Sequence, residues 1–246
     1  MIRIILALLT AVILLIFPGL PLLLYMFILK QFNPDLQIRQ SFALVKAIFR
    51  LLLFICGVKI DFAGQDLIPK DRPVLYVCNH RSIFDILVAT QFVPGSTSFV
   101  SKIELRKVPL LAQWMNNIRC VFIDRSNPKE ALRSINAAID NIKEGTSVWI
   151  FPEGTRNHED AMLPFKEGSF RIAEKTSCPV VPVAMTGTDD ILEKHFPYVH
   201  ATHVKVKVGE PIYTENLDRA QKKALSGRAH DLIQNTYNEM SLRHVE

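Results

Sequence analysis

Apolar and polar positions divide this chain into a section without periodicity and a longer section with two alternating periods. From Ile4 to Leu29 the sequence runs apolar, broken only at Pro18-Gly19-Leu20-Pro21. Such a run is long enough to span a bilayer. Two prolines and a glycine at its middle interrupt the backbone ladder, which predicts a kinked or re-entrant helix pair, with a single kinked transmembrane helix as the plainer alternative. No small-residue cleavage site follows it, so a secretory signal is not expected. A second apolar segment, Phe42 to Cys56, has Arg39, Lys46 and Arg50 at i, i+7 and i+11, on one helical stripe. That stripe fits a helix at a lipid interface, its cations among phosphates; a helix packed on a domain with a solvated edge is the alternative.

From Pro73 onward short β-branched runs alternate with helical patterns. Strands are expected at Val74–Cys78, Thr97–Val100, Ile118–Ile123, Ser147–Phe151, Val180–Met185 and His203–Val208. Helices are expected at Ser82–Phe92, Leu110–Met115, Pro128–Ile142, Gly168–Lys175 and, closing the chain, Leu217–Met240. This alternation predicts an α/β fold: a mainly parallel open sheet flanked by helices, preceded by an N-terminal hydrophobic helical membrane anchor. The one plausible boundary lies near Gly57 to Gly64, giving an anchor over residues 1–57 and an α/β domain over residues 58–246.

Composition narrows the partners. A net charge of +5 without a dense Lys/Arg cluster suits an anionic membrane or an acidic partner, and argues against nucleic acid. The four cysteines, Cys56, Cys78, Cys120 and Cys178, are widely spaced in apolar runs, which predicts buried thiols in a reducing compartment. Neither they nor His195, His200 and His203 show a metal-type spacing.

In open parallel sheets, function collects past the carboxyl ends of the strands. Asn79-His80, Ser101-Lys102, Asp124-Arg125 and Pro152 to Arg156 each follow an expected strand. Asp85, five residues after His80, allows two readings. Ser82 and Asp85 have the spacing of a capping box, so Asp85 could simply cap a helix. An aspartate in the first turn could also orient a preceding histidine and leave its second nitrogen free to accept a proton. No GxSxG elbow is present, and Cys78 lies within a strand, where an inert thiol is the commoner case. A base without a good protein nucleophile points to a substrate hydroxyl as the nucleophile. Arg156, beside a glycine turn, is suited to a phosphate.

Four blocks now resemble the membrane-bound glycerolipid acyltransferases, and within them the 1-acylglycerol-3-phosphate acyltransferases. They are Asn79-His80 through Asp85, Phe122-Ile123-Asp124-Arg125, Phe151-Pro152-Glu153-Gly154-Thr155-Arg156 and Val181-Pro182-Val183, with Phe165-Lys166-Glu167-Gly168 a further similar stretch. The blocks follow the family's order and span most of Pro73 to Met185.

The resemblance implies transfer of an acyl group from a thioester to the sn-2 hydroxyl of lysophosphatidic acid, giving phosphatidic acid. It implies His80 as general base, Asp85 as its orienting partner, and Arg156 with Gly154 and Thr155 on the glycerol phosphate. Glu153 would fix Arg156 or touch the glycerol; Arg125 and Lys102 are further candidates for the anion. No metal or tightly bound cofactor is implied. The co-substrate would be a coenzyme A or acyl carrier protein thioester, and the domain would face the cytoplasm from the membrane. Acylation of another lysophospholipid and non-catalytic lipid binding are the competing readings. Deleting Met1 to Leu29 is expected to weaken membrane association and activity more than folding.

Overall fold

The apolar N-terminus forms two helices in the computed structural model, which describes residues 1–159 and 161–242. Helix α1 (Ile2–Ile16) and α2 (Gly19–Phe32) meet at a 44° bend. Pro18 and Pro21 fall at the break and in the first turn of α2, where missing backbone donors cost least. Gly19 is required there: a Cβ would approach Leu14 O to 2.8 Å. Among the described residues no single helix is long and apolar enough to cross a membrane; one bent pair passes that test jointly. At 1.5 Å per residue each arm spans about 20 Å, short of a hydrocarbon core of about 30 Å.

Helix α3 (Pro34–Cys56) starts eight residues before the apolar run. Asn33 caps it by accepting from Leu36 N, and Pro34 stands at its first position. Its early polar residues are internal. Gln37 donates to Ser41 Oγ at 2.8 Å and to Asn117 O at 3.3 Å, and both side chains are buried. Two cations of the basic stripe turn toward the domain. Lys46 Nζ donates to Val93 O at 3.1 Å and Arg50 Nε to Gln91 Oε1 at 3.2 Å, both at the carboxyl end of α4 (Phe84–Phe92), where positive charge is favoured. The packed-helix alternative therefore describes this face of α3 better than the lipid-interface one.

The remaining chain builds β1 (Lys59–Ala63), β2 (Leu75–Cys78), α4, β3 (Thr97–Lys102), α5 (Pro109–Asn117), β4 (Val121–Ile123), α6 (Pro128–Lys143), β5 (Ser147–Ile150), α7 (Arg171–Thr176), β6 (Val180–Thr186), β7 (His203–Val208), α8 (Arg219–Lys223) and α9 (Leu225–Leu242). The sheet order is β1-β7-β6-β2-β5-β3-β4, parallel at every pairing except β6 with β7. The expected mainly parallel sheet is therefore present. Strand β1 was not expected: Lys59-Ile60-Asp61-Phe62-Ala63 occupies the stretch read as a boundary, and it pairs in register with His203 to Lys207. Lys102 ends β3 rather than following it, and the closing helix divides into α8 and α9.

Each central strand is covered on both faces, as parallel sheets require. Tyr76, Cys78, Trp149, Val181 and Val183 point to the α3–α4 side, with Met26 of α2, and Phe42 and Leu53 of α3, in the same core. Leu75, Val77, Val148, Ile150 and Val180 point to the other side, against Ile135 and Ile139 of α6 and Ala229 and Ile233 of α9. Met26 is 1% exposed. The N-terminal pair is thus part of the domain's core on one side, so its deletion would injure folding more than sequence alone suggested. Its outer side, including Ile5, Leu9, Val12 and Phe27, is exposed.

One side chain locks the central strands where they end. Buried Asn79 donates through Nδ2 to Met185 O and accepts from Met185 N, both at 2.9 Å. Asn79→Ala would leave both Met185 groups without a partner, and a loss of about 2–4 kcal/mol is expected in urea unfolding.

Candidate functional site

Parallel β2, β3, β4, β5 and β6 end at one rim, and the polar residues singled out above gather there. Strand β2 delivers Asn79 and His80; β5 delivers Phe151 to Arg156; β4 delivers Arg125; β6 delivers the loop that carries Asp189 and Glu193. The chain leaves β2 toward β3 and returns to place β5 and β6 on either side of β2, so the crevice opens where the strand order reverses.

His80 and Asp85 are in contact: Nδ1 lies 2.7 Å from Asp85 Oδ2. The same oxygen accepts from Arg81 N at 2.7 Å and Ser82 N at 2.8 Å. Three donors converging on one oxygen of a fully buried carboxylate fix its position. With Nδ1–H directed at Asp85, Nε2 is the imidazole's acceptor. Asp85 thus contacts His80, and only half of the expected capping box is formed. It accepts from Ser82 N as in a capping box, but the reciprocal bond is absent: Ser82 Oγ accepts from Phe84 N at 3.0 Å, and α4 begins at Phe84, not Ser82.

The imidazole is held from several directions. Phe151 stacks on it with centroids 4.1 Å apart. The His80 backbone N–H donates to Glu153 Oε1 at 2.7 Å, and the His80 carbonyl accepts from Asn157 N at 2.8 Å. Glu153 therefore turns inward. Its second oxygen accepts from Leu163 N at 3.1 Å, and the side chain lies neither on Arg156 nor at the open rim. Burial raises its carboxyl above the usual range, opposed by the backbone donors of His80 and Leu163.

The other expected residues are placed less uniformly. Gly154 adopts φ 77° at the turn, and a Cβ there would meet Lys166 at 2.6 Å. Thr155 and Arg156 are exposed on the rim. Arg125 Nη1 donates to Gly154 O, tying the β4 end to that turn. Lys102 pairs with Glu104 at 3.0 Å and makes no bond to the His80 cluster among the described residues. Two neighbours escaped the sequence reading. Lys166 was seen only as part of a recurrent stretch, and Glu193, which meets Arg156 Nη1 at 3.3 Å, had no local signal at all. Only the loop's return beside β2 brings Glu193 close.

Comparison with known proteins shows the family and the fold. The Acyltransferase family model matches residues 59–186. The 1-acyl-sn-glycerol-3-phosphate acyltransferase of Saccharomyces cerevisiae is 28% identical over 198 residues, covering 79% of this chain and 65% of the yeast protein. The human 1-acyl-sn-glycerol-3-phosphate acyltransferase alpha is 31% identical over 201 residues, covering 79% of this chain and 70% of its own. Among solved structures, the 1-acyl-sn-glycerophosphate (LPA) acyltransferase PlsC of Thermotoga maritima superposes with a TM-score of 0.77 at 28% identity, covering 97% of this chain and 98% of the other.

Cys78, adjacent in sequence to the site, is chemically withdrawn from it. Its thiol is fully buried, and desolvation, with Asp85 and Glu153 nearby, pushes its pKa well above the ordinary value. Iodoacetamide should leave Cys78 unmodified in the folded protein and alkylate it in urea, as peptide mass spectrometry would show.

Proposed function

Because this chain belongs to the acyltransferase family, we propose that it transfers an acyl group from a thioester to the sn-2 hydroxyl of lysophosphatidic acid, producing phosphatidic acid. The contact of His80 Nδ1 with Asp85 Oδ2, leaving Nε2 at a rim shared with Arg156, is the observation that carries this reading. His80 Nε2 takes the proton as the hydroxyl oxygen bonds to the thioester carbonyl carbon. The tetrahedral adduct collapses with cleavage of the C–S bond, and the thiolate of the carrier leaves with the proton from the imidazolium. Asp85 holds the imidazole in the required tautomer and stabilises its charged form.

Arg156 grips the acceptor phosphate, with Gly154 and Thr155 shaping the turn around it. Arg125 acts on the same turn through Gly154 O. The geometry gives Lys102 the weakest claim on the anion. Coenzyme A and acyl carrier protein both present the needed thioester. Lysophosphatidic acid rather than a larger-headgroup lysolipid suits a single arginine clamp. Helices α1 to α3 form the membrane-facing section, residues 1–57, and residues 58–246 the catalytic section. The exposed apolar side of α1 and α2 would enter one face of the bilayer, sparing the acceptor's extraction into water at about 0.8 kcal/mol per CH₂. Four free thiols accord with a cytoplasmic site.

In a lipid-reconstituted assay with lysophosphatidic acid and an acyl thioester, His80→Ala should lower turnover by about 10²–10⁴-fold. Arg156→Ala should chiefly raise the KM for the acceptor. Full turnover by His80→Ala, free fatty acid as the only product, or preference for lysophosphatidylcholine would refute the assignment. Leu9→Glu with Phe27→Glu, both on the exposed side, should release the protein from vesicles on flotation without lowering its Tm.

A further inference from the structure

Glu193 stands on the loop after β6, outside every block that carries the family resemblance, yet its carboxylate joins three segments. Ser82 Oγ donates to Oε2 at 2.6 Å, and Ile83 N donates to Oε1 at 2.8 Å. Arg156 Nη1 donates to the same Oε1 at 3.3 Å. The Glu193 side chain is 9% exposed and that of Arg156 47%. This contrast separates the enclosed partner from the solvent-facing one. Glu193 is held by two short bonds that do not involve Arg156. Its loop is tied down in turn, by Lys194 to Asp189 and Asp190 at 3.1 and 2.9 Å, and by Asp189 to Arg81 at 3.2 Å. Arg156 is a long flexible side chain with one nitrogen engaged by this carboxylate.

We propose that Glu193 is a positioning residue for the acceptor: it fixes the Arg156 guanidinium at a set distance from His80. This rests on the acyl transfer to a phosphorylated acceptor proposed above. A guanidinium is a planar fork, so a carboxylate on one nitrogen orients the remaining donors. The same Glu193 carboxylate is bonded to Ser82 and Ile83, in the loop that also places His80 and Asp85. It therefore ties the phosphate clamp to the loop that carries the base, so that the acceptor is gripped well only where its hydroxyl reaches His80. Glu193 acts through Arg156 and does not touch the reacting atoms.

Glu193→Gln tests this role. The amide keeps the side-chain length, still accepts from Ile83 N and can donate to Ser82 Oγ, while the charge opposite Arg156 is lost. Steady-state kinetics on Glu193→Gln, Arg156→Ala and the double variant, with lysophosphatidic acid and an acyl thioester varied separately, give the readout, and thermal melts monitor folding. The acceptor KM should rise by about tenfold in Glu193→Gln, the scale of one charge-assisted hydrogen bond misdirected. The thioester KM should not change. In an Arg156→Ala background the second substitution should add nothing. A loss confined to kcat, or one of equal size without Arg156, would overturn the proposal and leave Glu193 as a structural tie of α4. An unchanged or lowered acceptor KM would overturn it too, a lowered one showing that the carboxylate competes with the phosphate. Should Arg156→Ala itself leave the acceptor KM unaltered, the phosphate clamp fails and this inference with it.

Discussion

A parallel sheet covered on both faces has little room for polar chemistry except at its strand ends, and that constraint organises this molecule. Tyr76, Trp149 and Val181 close one face and Leu75, Val148 and Val180 the other. Any ionisable group that enters these layers must find partners or lose its solvation uncompensated. The carboxylates at the rim meet this demand with backbone donors: Arg81 and Ser82 for Asp85, His80 and Leu163 for Glu153, Ile83 for Glu193. Three acids are thereby bonded to the backbone of two loops, and His80 lies where those loops meet.

The lacing between segments distant in sequence makes the site a unit. Glu153 and Asn157, both after β5, hold the N–H and the carbonyl of His80, which follows β2. Arg125 reaches the Gly154 carbonyl from β4, and Glu193 reaches Ser82 and Arg156 from the β6 loop. Strand order alone brings these four loops together. The sheet is thus the source of the site's geometry, while local sequence supplies only the residue types.

That division explains what could be read from sequence. Strands β2, β5 and β6 announce themselves as unbroken apolar runs because both faces are buried, and His80 with Asp85 is close enough in the chain for contact to be anticipated. Strand β1 was missed because it lies at an edge, with alternating exposure that mixes Lys59 and Asp61 among apolar residues. The early turns of α3 were missed because Gln37 and Ser41 satisfy each other inside the protein, and polarity there resembles a surface. Glu153 was expected on Arg156 or at the glycerol, and instead its oxygens accept from the backbone of His80 and Leu163. Glu193 lies more than a hundred residues from Ser82, and no periodicity encodes such a meeting.

The Phe151 ring that lies against His80 has an entropic consequence. An imidazole held at Nδ1 by one bond could still rock about that bond, sampling orientations in which Nε2 points nowhere useful. A ring stacked at 4.1 Å removes much of that libration, and Phe151 is itself packed against Trp149, which stacks on Tyr76 and Phe99. Fixing this imidazole therefore belongs to the folding of the aromatic core and not to the arrival of a ligand. A smaller residue at position 151 would return this disorder to the imidazole while leaving every polar contact of His80 in place.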